Sequence, residues 1–296
     1  MMNILITGAN GLLGRYLAEF LSKGNKIFAL IKNKKDIRFK LNKNINIIEM
    51  NLSRIDESLF PQNLDAVYYL AQSNRFREFP DGADDVLDIN VVAPNKIAKW
   101  AIKNNIQKFI YASSGGVYTN LDSLVKESLD INANKKLGFY LNSKLSAEML
   151  LKNYANLFET FAIIRPFFMY GAGQNESMLI PRLINNVKNG KEIMLNGDEG
   201  IKINPVYITD AVNSTVKILD LKGEFLFNIA GNEIFSLKQI CLIIGEILHK
   251  EPIFKINENM QNDLIADISI MKKKLCSPLM SFKKGVARVI GGKDAI

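Results

Sequence analysis

The chain has 296 residues, 48% of them apolar and 23% charged, enough to bury the core of one large domain or two unequal ones. Its formal charge of +8 comes from 38 basic against 30 acidic residues, spread without a dense basic block, which argues against a nucleic-acid binder and for a solvated, lysine-rich surface. No apolar run reaches the roughly 18 residues of a membrane span and no basic-then-apolar leader opens the chain. Cys241, Cys276 and the single histidine, His249, lack the spacing of a metal site, so a cytoplasmic protein with reduced thiols and no metal is expected.

In chain order, "NILIT" (3–7) reads as a strand and runs straight into "GANGLLG". Leu12, Leu13, Tyr16, Leu17, Phe20 and Leu21 then keep helical spacing, with Gly24 as a helix stop. Further strands are expected at "KIFALI" (26–31), within "INIIEM" (46–50), at "AVYYLA" (66–71), "KFIYAS" (108–113) and "TFAIIR" (160–165). Several are apolar on both faces, as buried parallel strands are. Intervening helices carry Val91, Val92, Ile97 and Trp100, and then Leu145, Met149, Leu150 and Tyr154. This alternation predicts an α/β fold, a doubly wound parallel sheet of the Rossmann type over residues 1–177. From about Met178 the rhythm changes: "MLIPRLINNVKNG" and "SLKQICLIIGEILHK" read as helices, "EIML" and "PVYI" as short strands. These form a smaller α/β lobe over 178–296, with "GEFLFNIAG" placed to return one strand near 225–230 to the main sheet.

Gly8, Gly11 and Gly14 stand between the first strand and the first helix. Gly8 and Gly11 let backbone N–H groups approach a pyrophosphate at the positive helix end, and Gly14 lets helix and strand pack closely. "TGANGLLG", "YASSGGVY", Tyr140 with Lys144 in "YLNSK", and "RPFFMYG" together resemble the extended short-chain dehydrogenase/reductases. More narrowly the chain is similar to the NAD-dependent epimerase/dehydratase group acting on nucleotide sugars. The likeness is strong from residue 3 to about 171 and looser through "KINPVYITDAV" and "FNIAGNEIFSLKQI".

The resemblance implies Ser114, Tyr140 and Lys144 as catalytic residues. Tyr140 and Lys144 share a helix face at i and i+4, so the cation is expected to lower the phenol pKa and to hold the nicotinamide ribose. Ser114, four residues before Tyr118, is preferred over Ser113 for the hydrogen bond to the substrate oxygen. The cofactor set implied is Gly8, Asn10, Gly11, Leu12, Leu13, Gly14, Lys32, Asn51, Leu52, Leu70, Ala71, Gln72, Asn90, Tyr140, Lys144 and Pro166. No carboxylate follows the second strand, where Ile31 precedes Lys32, Asn33, Lys34 and Lys35. NADP is therefore favoured, with NAD as the alternative. Gly115 and Gly116 stand where dehydratases carry an acid pair, which leaves 4-epimerisation or net ketoreduction. For the substrate the resemblance implies Ser114, Phe168, Arg182 and Lys202, with Phe168 replacing an asparagine and Lys202 an arginine of relatives. The substrate expected is a small molecule, a nucleotide sugar; a reductase of small carbonyl compounds or a non-catalytic dinucleotide sensor is the alternative. Relatives pair the helices represented by about 82–103 and 139–155, which implies a homodimer.

Overall fold

The computed structural model describes residues 1–118, 124–131, 137–259 and 262–292. Six strands come first: β1 (Asn3–Thr7), β2 (Lys26–Ile31), β3 (Ile45–Glu49), β4 (Ala66–Tyr69), β5 (Lys108–Ala112) and β6 (Thr160–Pro166). Then come β7 (Ile193–Asn196), β8 (Lys202–Ile203), β9 (Gly223–Ile229), β10 (Phe235–Ser236) and β11 (Phe254–Asn257). The helices that matter below are α1 (Leu12–Leu21), α2 (Ala83–Leu87), α3 (Ala93–Lys103), α4 (Phe139–Leu151), α5 (Leu179–Lys188), α6 (Ile208–Lys217) and α7 (Leu237–Leu248).

One seven-stranded sheet runs β3-β2-β1-β4-β5-β6-β9, with every pair parallel. Successive side chains point to opposite faces. Ile4, Ile6, Ala29, Ile110 and Ile164 belong to a core with α1 and α6 on one face, which continues into α5 and α7. Leu5, Leu30, Val67, Phe109 and Ile163 pack with Ile97 and Trp100 of α3 and Ala147 and Leu151 of α4 on the other. Both faces are covered, which is why the strands read as apolar throughout. The strand order reverses between β1 and β4, so their carboxyl ends diverge and open the crevice where ligands bind in such sheets. β9 joins the edge of β6 as the returning strand expected from "GEFLFNIAG". Two small ladders stand apart from it, β7 with β11 and β8 with β10.

Three local readings change. "AVYYLA" leaves the ladder at Tyr69, because the next two N–H groups, of Leu70 and Ala71, donate to Thr7 Oγ1 at 3.2 and 3.3 Å. "PVYI" is no strand: Tyr207 makes one bridge to Tyr170 and is the N-cap of α6. The helix over 82–103 is broken by a π-helical turn, Asp88–Val92. Pro94 has no N–H to give the Asn90 carbonyl, and its ring would collide with it in a regular helix. The freed carbonyls of Ile89 and Asn90 accept hydroxyls of Tyr69 (2.6 Å) and Tyr111 (3.4 Å) instead.

Candidate active site

The glycine turn is built for close approach. Gly8 lies in the left-handed region at φ +66°, and a Cβ on it would stand 2.7 Å from Ala71 Cα. A Cβ on Gly14 would stand 2.9 Å from Ala9 Cα. Gly11 differs: its backbone is extended, and a Cβ there would meet only the Gly8 carbonyl, at 3.1 Å. The protein itself has little need of a glycine at 11; the exposed space beside it does. That space lies at the start of α1, which has no side-chain cap and no acid in its first turn. Orphan N–H groups at a positive helix end, beside a glycine that leaves room, fit a pyrophosphate.

Around this turn the implied cofactor residues separate into roles. Asn10 uses both ends of its amide on the loop after β2, donating to the Asp36 carbonyl and accepting from Arg38 N at 3.2 Å. Lys32 is exposed at the start of that loop. Asn51 is exposed and caps its own turn by accepting from Ser53 N at 3.2 Å, while Leu52 is buried in the core. Leu12 and Leu13 open α1, and Pro166 closes β6. Asn90 is fully buried, with Oδ1 accepting from Ser73 N (3.0 Å) and Nδ2 donating to Ser143 Oγ (3.0 Å). Ser143 in turn donates to the Tyr140 carbonyl at 2.7 Å. Asn90 therefore holds the segment after β4 to the first turn of α4.

The three catalytic candidates converge at the carboxyl ends of β4 and β5. Ser114 caps the short 3-10 turn Gly115–Val117, accepting from Gly116 N at 3.1 Å. The Tyr140 hydroxyl donates to Gln72 Oε1 at 3.0 Å, and its ring lies 5.0 Å from that of Phe76. Burial pushes the Tyr140 phenol up to about 12, against a hydrogen bond from Ser114 that lowers it. Lys144 is 1% exposed, donates to the Ala112 carbonyl at 2.9 Å and lies over the Tyr111 ring. Burial pushes its ammonium down to about 7, opposed by the charge of Glu148 one turn along. The phenol is thus raised by its own burial and lowered by Ser114, and the acidification expected from Lys144 is not among the causes that act on it.

Behind Lys144 lies a pair that motif reading missed. Glu148 and Arg165, at 1% and 3% side-chain exposure, form a two-point ion pair whose Nε–Oε1 contact is 3.0 Å. Arg165 also covers the Tyr118 ring at 4.4 Å. Their spacing of 17 residues carries no motif; only the i+4 step from Lys144 to Glu148 on α4 was visible.

On the substrate side, Phe168, two residues after Pro166, is half-buried with φ +43°, a conformation in which asparagine is far commoner than phenylalanine. Arg182 is exposed on α5, and Lys202 is exposed on β8, its N–H donating to Asp263 at 2.8 Å. Among the described residues neither side chain bonds to the Ser114–Tyr140 cluster. Gly115 is enforced: a Cβ there would stand 2.5 Å from the Phe167 ring.

Residues 4–230 match the model of the NAD dependent epimerase/dehydratase family, and the chain belongs to that family. Among curated relatives, an uncharacterized UDP-glucose epimerase of Bacillus subtilis is 27% identical, covering 98% of this chain and 97% of its own. The dTDP-4-dehydro-6-deoxyglucose reductase of Escherichia coli is 26% identical, over 97% and 96% of the two chains. Among solved structures, the UDP-glucuronic acid 4-epimerase of Bacillus cereus, in complex with UDP-glucuronic acid and NAD, superposes with a TM-score of 0.86. It is 25% identical over 98% of this chain and 99% of that one. The Rossmann-type parallel sheet expected from the strand–helix alternation is the fold of these neighbours.

Proposed function

We propose that this protein is a nucleotide-sugar 4-epimerase or ketoreductase, acting by reversible hydride transfer at C4 of the sugar. Residues 1–177 would hold the dinucleotide and 178–296 receive the substrate. The observation that carries the reading is the Tyr140 hydroxyl, set between Gln72 and Ser114 beside the glycine turn, in a chain of this family. When bound, NAD or NADP supplies the hydride acceptor and donor. Gly8, Gly11 and Gly14 with the opening turn of α1 would seat its pyrophosphate, and Lys144, beside the Ala112 carbonyl, would meet its ribose.

The residues themselves handle the proton. With its phenol pushed up to about 12, Tyr140 is protonated at neutral pH and donates to the substrate oxygen as negative charge grows there. Ser114 hydrogen-bonds the same oxygen. With an ammonium pushed down to about 7, Lys144 takes up or releases a proton in the working range, so it can restore the one Tyr140 gives up. Elimination of water is disfavoured by the shape of the site, since Phe167 leaves no room for an acid at Gly115. Tyr140→Phe removes only the hydroxyl, and single-turnover hydride transfer, followed by nicotinamide absorbance, should fall by about 10²–10⁴-fold. Transfer at the parental rate would refute the assignment.

Two finer points belong to the same reading. Lys32 on the exposed loop, with no carboxylate at Ile31, supports a preference for NADP, while the Bacillus cereus neighbour holds NAD. Replacing Ile31 with Asp together with Lys32→Ala should move the affinity ratio toward NAD, and an unchanged ratio would refute that role of the loop. Leu87, Val92, Met149 and Leu150 are exposed apolar residues on or beside the helices expected to pair, which supports a homodimer. The free thiols Cys241 and Cys276 support a cytoplasmic setting.

A further inference from the structure

The loop after β4 sends an arm over the catalytic tyrosine. Phe76 lies against the Tyr140 ring at 5.0 Å, and the Arg77 guanidinium lies on Phe76 at 4.9 Å. From there Arg77 reaches residues 100 positions away. Its Nη1 donates to the Ser177 carbonyl at 3.2 Å, and its Nη2 approaches Met178 Sδ at 3.8 Å. Those are the residues immediately before α5, whose backbone also carries Arg182 one turn on: Arg182 N donates to the Met178 carbonyl at 2.9 Å. The arm therefore bridges the catalytic end of the sheet to the first turn of α5.

The geometry points to Arg77 as the residue that reads the anionic diphosphate of the substrate. This rests on the nucleotide-sugar reading of the site above. Three observations carry it. First, Arg77 is joined to the Tyr140 ring through a single ring, Phe76, and reaches Ser177 and Met178, so its guanidinium stands between the catalytic tyrosine and the lobe proposed to receive the substrate. Second, its partners among the described residues are weak ones for a cation: one carbonyl at 3.2 Å and a thioether, with no carboxylate, whereas the neighbouring Arg75 is taken by Glu78 at 2.7 Å. A guanidinium offers five donors in a fork that matches phosphate oxygens, so a diphosphate can displace a lone carbonyl contact. Third, the two cations expected from sequence on the substrate side, Arg182 and Lys202, make no bond to the catalytic cluster among the described residues. Stacking on Phe76 limits the freedom lost when the side chain is fixed on its ligand.

The test uses UDP alone and UDP-glucose, with the intact protein, by calorimetry and steady-state kinetics. Arg77→Ala should weaken UDP binding by about 10- to 100-fold, the range for one or two charge-assisted hydrogen bonds. KM should rise by a similar factor with kcat changed far less, and NAD(P) affinity should stay at the parental value. Arg77→Lys should recover part of the loss, because the charge remains while the fork does not. Unaltered UDP affinity in Arg77→Ala would overturn the assignment. So would a loss of NAD(P) binding in parallel with UDP, which would mean the arm only holds the site together. Parental protein that binds dinucleotide but neither UDP nor any UDP-sugar would instead refute the nucleotide-sugar reading itself, a different outcome from an Arg77 variant that binds as the parent does.

Discussion

Lys144 should make the protein lose stability as pH falls, and Lys144→Met should remove that dependence. The ammonium is wholly buried, with an ordinary value of 10.5 pushed down to about 7. Above 10.5 neither folded nor unfolded chain holds the proton. Between 10.5 and 7 the unfolded chain takes it up and the folded chain does not, so stability falls with falling pH, and below 7 the loss is complete. One pH unit in that window corresponds to about 1.4 kcal/mol, so the step from about pH 9.5 to about pH 7 costs roughly 3 kcal/mol. Methionine has no proton to bind. It also deserts the Ala112 carbonyl, a penalty of about 1–3 kcal/mol that does not vary with pH. The assay is urea unfolding of parent and variant across that range, taking the difference between them at each pH so that other titrating groups cancel. The difference should shift in favour of the variant as pH falls toward 7. Parallel curves would show that the folded chain carries Lys144 charged, and the account of its burial would be wrong.

Gly8 and Gly11 should behave oppositely although they belong to one motif. Gly8→Ala forces a Cβ at φ +66° into the backbone of Ala71 and should cost about 2–5 kcal/mol in urea unfolding. Gly11→Val, whose Cβ meets only the Gly8 carbonyl at 3.1 Å, should cost less stability than Gly8→Ala yet abolish dinucleotide binding by calorimetry; normal binding by the folded variant would remove the pyrophosphate from this turn. Glu148→Gln leaves Arg165 buried without its counter-ion and should cost about 3–5 kcal/mol in the same unfolding assay. Glu148→Leu combined with Arg165→Met should recover most of that loss, and a double variant as unstable as the single one would show that packing, not charge, is at stake.

What could be read from the residues alone was whatever a short stretch decides for itself. Most strands of the main sheet announced themselves because β1, β4, β5 and β6 are buried on both faces, and the glycine turn because strand, turn and helix are consecutive. Tyr140 and Lys144 were legible as one helix face, and Ser114 by its distance from Tyr118. What stayed hidden depended on partners far along the chain. That the Asn90 amide bonds Ser73 and Ser143, and the Asn10 amide the loop carrying Asp36 and Arg38, is visible in no motif. The fall in the Lys144 pKa follows from how much sheet and helix close over it, which no spacing records. The break at Asp88–Val92 had a local cause, Pro94, whose missing N–H was in plain view, but the tyrosine hydroxyls that make the π turn tolerable come from two different strands.

The place of β9 has a consequence for how the chain is made. β6 ends at Pro166, yet its outer partner begins only at Gly223, after α5, α6 and two short strands have been laid down. Until that segment leaves the ribosome, β6 presents an open row of donors and acceptors flanked by Phe161, Ile163 and Ile164, side chains at most 1% exposed in the finished protein. Every residue from Thr160 to Pro166 pairs with one from Gly223 to Ile229, so a nascent chain halted short of Gly223 carries a ready template for another copy. Interrupted synthesis, more than any single substitution, is the condition under which this enzyme should aggregate.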